Sequence, residues 1–173
     1  GSIYTQNGNL ERAKKEFHKA IELEPTLPLG YLNLGSLYAS RGEFHQARTE
    51  FLRALERYTL YKWGYPVPWE LYLSLARVNF ELKSYSAAKK FISTYVAWNR
   101  QSMDGLFLKG QINLAMGNIK EANAVYQSIL PLAEQPEINV LEGALVSAKA
   151  NNNLGILYIK INEYESARDA FNA

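Results

Sequence analysis

A short motif returns five times along the chain, and this repetition constrains the fold more than any other feature. The motif has a turn residue, a polar or small residue and an apolar or aromatic residue ahead of an alanine, as in Gly42-Glu43-Phe44-His45-Gln46-Ala47. Its alanines lie at positions 13, 47, 88, 122 and 167, so that two intervals are 34 residues and the other two carry insertions of 7 and 11 residues. Such a period indicates an array of stacked structural repeats.

A second column of small residues supports the same register. Gly35, Ala76, Gly110 and Gly155 each lie twelve positions before the matching alanine, through both insertions. Between the two columns, apolar residues recur at helical spacing, which predicts two antiparallel helices, A and B, in each repeat. We expect the small residues where the helices cross closely, large residues such as Phe51 beside that crossing, and a left-handed turn at Gly42.

These columns resemble the tetratricopeptide repeat. The residues that match its pattern are Ala13, Phe17, Ala20 and Pro25 in the first repeat, Tyr31, Leu34, Gly35, Tyr38, Ala47, Phe51 and Ala54 in the second, and Asn153, Leu154, Gly155, Tyr158, Ala167 and Phe171 in the last. Repeats three and four depart from it, because Asn79 and Asn113 stand where the family uses an aromatic residue.

The resemblance implies an all-α fold, a right-handed superhelical solenoid of antiparallel helix pairs with about five repeats, the first and last incomplete. We expect a single domain over residues 1–173, a piece of a longer array or one with ends covered by another copy. The predicted repeats are about 1–27, 28–61, 69–102, 103–136 and 148–173, with insertions at about 62–68 and 137–147. We expect the second insertion to lengthen the last helix A or to add a short helix.

The function implied by the resemblance is a scaffold or adaptor that binds a partner peptide or protein on the concave face formed by the A helices. Carried onto this sequence, that face comprises Leu32, Asn33, Ser36, Leu73, Arg77, Phe80, Phe107, Gln111, Asn152, Asn153 and Ile156. The alternative is a structural assembly protein that self-associates by end-to-end stacking of its repeats into a homo-oligomer.

One variant of the family's groove, a clamp for the acidic C-terminus of heat-shock chaperones, does not fit. It requires lysine, asparagine and arginine at five positions, so that they converge on two carboxylates. Counted from the second repeat, those positions hold Leu32, Ser36, Ser74, Asp104 and Leu108. An aspartate there would repel the ligand.

The first insertion is unusually aromatic and offers a secondary partner surface at Tyr61, Trp63 and Tyr65. Exposed tyrosine and tryptophan are strong interface anchors. The competing interpretation is that these rings cover an enlarged junction between repeats, with Trp69 and Tyr72 beginning the next helix A.

Composition narrows the remaining classes of function. Nineteen basic against seventeen acidic residues leave a charge of +2, which argues against a nucleic-acid partner. No apolar run reaches the length of a membrane helix, so we expect no membrane insertion. His18 and His45 lie on different B helices and there is no cysteine, so we expect no metal, no cofactor and no enzymatic activity. The lack of cysteine fits the cytoplasm and leaves the periplasm open.

Overall fold

The structure, a computed structural model, describes residues 10–61, 66–136 and 138–173. Within these residues every regular element is an α-helix. In chain order they are α1 (Leu10–Leu23), α2 (Pro28–Ser40), α3 (Phe44–Leu60), α4 (Trp69–Glu81), α5 (Tyr85–Trp98), α6 (Met103–Ala115), α7 (Ile119–Ala133), α8 (Val140–Lys160) and α9 (Tyr164–Asn172).

The helices form two compact units, residues 1–91 and residues 92–173, which we call unit 1 and unit 2. In unit 1, α1 packs on α2, α2 on α3, and α3 on α4; in unit 2, α6 packs on α7, α7 on α8, and α8 on α9. The all-α class and the packing of consecutive helices in pairs, expected from the sequence, are confirmed. The grouping of all residues into one domain stays a prediction.

Each helix pair is joined by a turn with one residue in the left-handed backbone region. Gly42 and Gly117 have φ of 73° and 77°, and Lys83 and Asn162 have φ of 56° and 62° at the corresponding places. The next amide closes each turn by donating to a carbonyl five residues earlier, as from Glu43 to Tyr38 at 2.9 Å. The left-handed turn predicted at Gly42 is confirmed, and the same conformation is imposed on Lys83 and Asn162, which tolerate it less easily than glycine.

Three of the helix crossings place a glycine against an aromatic ring sixteen residues later. A Cβ added to Gly35 would lie 2.7 Å from the Phe51 ring, and one added to Gly155 would lie 2.5 Å from the Phe171 ring. At the corresponding place, a Cβ on Gly110 would collide with the Tyr126 ring. These three glycines therefore do what the sequence predicts, since each lets a large ring approach the backbone of the facing helix.

Asn79 and Asn113, which replace the expected aromatic residues, are buried and bond within their own helices. The Asn79 side-chain amide donates to the Leu75 carbonyl at 2.7 Å, and that of Asn113 donates to the Lys109 carbonyl at 3.0 Å. Asn118 donates in turn to Asn113 Oδ1 at 3.3 Å. These bonds reduce the free-energy cost of burying an amide at positions that aromatic rings occupy elsewhere in the array.

The second insertion lengthens the last helix A, because α8 begins at Val140, earlier than the repeat boundary at 148. Asn139 caps it: Asn139 Oδ1 accepts from the Glu142 amide at 2.8 Å, and Asn139 Nδ2 donates to the Glu142 carboxylate at 3.3 Å. Gly143 approaches the Ala133 carbonyl so closely that no Cβ would fit between them. A cap and a tight backbone contact thus hold the added turns against the end of α7.

One buried ring carries a polar group without a partner, and it supports a stability prediction. Tyr126 is fully buried, and its hydroxyl has no hydrogen-bond partner among the described residues. Phe51 and Phe171 occupy the matching places in other repeats, so a phenyl ring fits this column. We expect Tyr126→Phe to raise the free energy of unfolding by about 1 kcal/mol, because it removes an unsatisfied buried hydroxyl. Urea titration followed by circular dichroism measures the change; a less stable variant would contradict it.

The same residue predicts a pH dependence. Burial raises the pKa of Tyr126 to about 12 from the ordinary value of 10. Between these values the unfolded chain releases the proton and the folded chain keeps it, so stability falls as pH rises. We expect the free energy of unfolding of wild type to fall by about 1 to 2 kcal/mol relative to that of Tyr126→Phe between pH 10 and pH 12. If the free energy of unfolding changes equally with pH in the two proteins, this expectation is wrong.

Candidate functional site

The A helices α2 and α4 contact each other in unit 1 and carry the first group of candidate binding residues. We call this group, with the neighbouring Leu29, the unit 1 face. Its exposed members are Leu29, Ser36 and Arg77, and its half-buried members are Leu32, Asn33, Leu73 and Phe80. The predicted residues of unit 1 are therefore all at least partly accessible.

Apolar and polar groups are mixed on the unit 1 face. Leu29 has 61 % of its surface exposed, although it is a large aliphatic side chain at the start of a helix. Phe80 lies beside Tyr85, with ring centroids 5.8 Å apart and the planes tilted by 53°. That contact fixes one face of the Phe80 ring and leaves part of the side chain accessible, as an anchor for a partner requires.

The A helices α6 and α8 contact each other in unit 2 and carry the second group, which we call the unit 2 face: Phe107, Gln111, Asn152, Asn153 and Ile156. Gln111, Asn152 and Ile156 are exposed, and Asn153 is half-buried. Asn153 Nδ2 donates to the Lys149 carbonyl at 3.0 Å, which leaves the side-chain oxygen and the second N–H for further bonds.

Phe107 differs from the other predicted residues because it is buried, with 5 % of its surface exposed. The Lys149 ammonium lies 4.3 Å from the centroid of its ring. This cation–π contact covers the ring, and the cation rather than the phenyl group is presented at the surface. Sequence register placed Phe107 on the binding side of α6 but carried no signal that a lysine from α8 would cover it.

Four exposed apolar residues of α8 lie outside the predicted binding residues: Val140, Leu141, Leu145 and Ile159. Leu141 and Leu145 stand in the sequence at helical spacing with Ile138 and Ala144. The signal for Leu141 and Leu145 was present, because counting back from Asn152 in whole helical turns reaches 148, 145 and 141 on the same side. The second insertion is therefore packed on one side only.

The predicted secondary surface falls largely outside the described residues, since Trp63 and Tyr65 lie in the segment 62–65. Tyr61 is exposed and lies near Arg57, whose guanidinium carbon is 6.0 Å from the ring centroid. Trp69 begins α4, as predicted, and has about half of its surface exposed. Burial raises the pKa of Tyr58, whose side chain is half-buried at the end of α3. A partner role for this region stays a prediction.

Among the residues that the structure describes, no group of three or more histidine or acidic side chains is placed to hold a metal ion. His18 and His45 are exposed on α1 and α3. Among the same residues, no helix combines the length and apolar character needed to cross a membrane.

Comparison with known families gives three matches along the sequence. A model described as TPR repeat matches residues 1–42, and two described as tetratricopeptide repeat match residues 32–97 and 148–173. None of the curated proteins matches the sequence.

Solved structures of the same architecture are numerous. MamA from Desulfovibrio magneticus RS-1 superimposes with a TM-score of 0.82 at 17 % identity, over 99 % of this chain and 86 % of that one. YrrB, a TPR protein with an unusual peptide-binding site, gives a TM-score of 0.79 at 20 % identity, over 98 % of this chain and 78 % of that one. A tetratricopeptide repeat protein from Parabacteroides merdae gives 0.78 at 21 %, over 99 % and 61 %. At these identities the likeness concerns the fold.

Proposed function

Because the chain belongs to the tetratricopeptide repeat family, whose members are protein-interaction scaffolds, we propose that it binds a partner peptide or protein on the exposed faces of its A helices. The unit 1 face and the unit 2 face are the two surfaces concerned. The observation that carries the proposal is the accessibility of apolar side chains on the unit 1 face. Leu29 is exposed and Leu73 and Phe80 are half-buried, beside the exposed polar residues Ser36 and Arg77.

This mixture suits an extended or helical peptide with apolar anchors. Leucine and phenylalanine side chains that are half-buried in the scaffold lose little conformational entropy when a partner covers them. Ser36 and Arg77 add hydrogen-bonding groups at the edge of the same surface, where they give orientation more than affinity. YrrB, which shares the fold, has a peptide-binding site, and this supports the same class of ligand for this chain.

On the unit 2 face the side-chain amides make most of the proposed contacts with a peptide. Gln111 and Asn152 are exposed and can each bond the backbone of a peptide through both a donor and an acceptor. Phe107 forms part of the packed layer beneath, and Lys149 above it supplies a positive charge. This surface therefore favours a peptide with an acidic residue close to its amide-bonded segment.

Selection from a phage-displayed library of random linear peptides, followed by fluorescence anisotropy with the selected peptides, tests this function. We expect Leu29→Asn to weaken binding at the unit 1 face about tenfold or more, as the loss of an interface anchor does. Peptides that bind the unit 2 face should respond instead to Gln111→Ala and Asn152→Ala.

Matched controls lie on the B helices. Leu52→Asn on α3 changes an exposed leucine, and Gln127→Ala on α7 changes an exposed glutamine, without altering either face. We expect both to bind as wild type does, with circular dichroism confirming that all variants are folded. Failure to select any peptide, or equal losses in the B-helix controls, would contradict binding by the A helices.

A further inference from the structure

The outer side of α8 carries a stripe of exposed apolar residues that neither the core nor the unit 1 face uses. Its core side is formed by Gly143, Ala150, Leu154 and Leu157, all buried. On the opposite side Leu141 and Leu145 have 81 % and 70 % of their surfaces exposed, and Ile156 and Ile159 are exposed farther along. We call Leu141, Leu145, Ala148, Asn152, Ile156 and Ile159 the α8 stripe; at 100° per residue they lie in one line along the helix.

The α8 stripe is held rigidly. The Asn139 cap and the contact of Gly143 with the Ala133 carbonyl fix the first turns of α8, and Phe171 packs on Gly155 near its other end. From Leu141 to Ile159 the stripe runs for about 27 Å at the rise of an α-helix. An ordered apolar line of this length is the surface on which another helix packs.

Charges beside the α8 stripe identify the helix that fits it. Glu142 follows Leu141 and Lys160 follows Ile159, so that both charges lie on the same flank, one at each end of the stripe. Both are exposed. If a second α8 lies antiparallel across the stripe with Leu141 of one copy level with Ile159 of the other, Glu142 lies two residues, about 3 Å along the axis, from the level of Lys160 of the second copy. The two long side chains can span that offset. A parallel arrangement would place the charged flanks of the two copies on opposite sides of the seam, so that neither Glu142 nor Lys160 would meet an opposite charge there.

The middle of the stripe suits the same arrangement. In the same antiparallel register Ala148 is level with Asn152 of the second copy, and Leu145 is within one residue of the level of Ile156. Small residues at the centre allow the helices to approach, and an amide there favours one register over its neighbours. Lys149 lies on the charged flank near the centre, but its ammonium is over the Phe107 ring and so is drawn away from the stripe.

We propose that the chain forms a homodimer in which two α8 helices pack antiparallel through the α8 stripe, with an ion pair between Glu142 and Lys160 at each end. This mode differs from end-to-end stacking of repeats, because it uses the side of one helix. It covers Asn152 and Ile156, so dimerisation and peptide binding at the unit 2 face would exclude each other, while the unit 1 face stays available in both states.

Sedimentation velocity over a concentration series tests the interface. We expect the wild-type chain to shift from monomer to dimer with rising concentration and Leu145→Asp to remain monomeric. Leu52→Asp, at an exposed leucine on α3, is the control and should dimerise as wild type does. A wild-type chain that is monomeric throughout, or a dimer that persists in Leu145→Asp, would overturn the interface.

Charge reversal tests the antiparallel register. Glu142→Lys alone and Lys160→Glu alone should each raise the dimer dissociation constant about tenfold, since each change turns two attractive pairs into repulsive ones. The double variant Glu142→Lys with Lys160→Glu should restore wild-type dimerisation. Within one chain these residues lie about 27 Å apart along α8, so restoration can arise only between copies. If the double variant is no better than the single ones, the register is wrong.

The dimerisation test is independent of peptide binding at the unit 1 face. Leu145, Glu142 and Lys160 belong to neither the unit 1 face nor the unit 2 face, and Leu29→Asn should dimerise normally. If Leu145→Asp loses dimerisation but binds peptides of the unit 1 face normally, the α8 interface is supported, whatever the outcome for peptide binding by Leu29→Asn. Loss of peptide binding in Leu29→Asn with normal dimerisation supports the binding function by itself.

Discussion

Replacing Phe51 by alanine should lower the free energy of unfolding by about 3 to 5 kcal/mol, among the largest effects expected of a single substitution in this chain. Phe51 is 2 % exposed and its ring lies against the Gly35 backbone, where the facing helix has no side chain to fill the space. Truncation therefore leaves a cavity bounded by backbone, which relaxes less readily than side chains do. Urea denaturation followed by circular dichroism measures the loss.

Phe171→Ala is the matched control. Phe171 has the same place in its repeat and lies on Gly155 in the same way, but 47 % of its surface is exposed. Less apolar area is removed from water there, so the expected loss is below about 2 kcal/mol. Equal losses at the two positions would show that the glycine contact, rather than burial of the ring, determines the stability of these crossings.

The pairing of Gly35 with Phe51 also shows why so much of the fold could be predicted. Both residues belong to columns that recur with the repeat, and each column has one geometric task that only a small or a large side chain performs. Prolines mark two helix limits in the sequence: α1 ends at Leu23, two residues before Pro25, and α2 begins at Pro28. Periodic signals of this kind are independent of the contacts between repeats.

The candidate site was less predictable because its surface depends on contacts outside the repeat pattern. The repeat register places Phe107 on the binding side of α6, yet the ring is covered by Lys149 of α8. The repeat register also gives no orientation for residues outside a repeat. The first turns of α8, which begin at Val140, lie in the predicted insertion, so the register did not say which of their residues face the core. Helical spacing groups Leu141 with Leu145 on one side of α8, but the packing of Gly143 against Ala133 is what shows that this side faces outward.

Adding a single methyl group should change the free energy of unfolding differently at two glycines that occupy the same place in their repeats. A Cβ at Gly110 collides with the Tyr126 ring, which is fully buried and cannot move aside. We expect Gly110→Ala to lower the free energy of unfolding by about 2 kcal/mol, the usual cost of overpacking a core. At Gly155 the collision is with Phe171, a half-exposed ring that can swing toward solvent.

Gly155→Ala should consequently be neutral or stabilise the chain by up to about 1 kcal/mol, because alanine favours the helix over glycine. Combining Gly110→Ala with Tyr126→Leu should recover part of the loss relative to the sum of the two single changes, since leucine removes the ring that the new methyl group meets. Urea titrations of wild type, Gly110→Ala, Tyr126→Leu and their combination give the double-mutant cycle, and a titration of Gly155→Ala gives the comparison between the two glycines. If Gly110→Ala and Gly155→Ala change stability alike, the mobility of the facing ring does not decide which crossings require glycine.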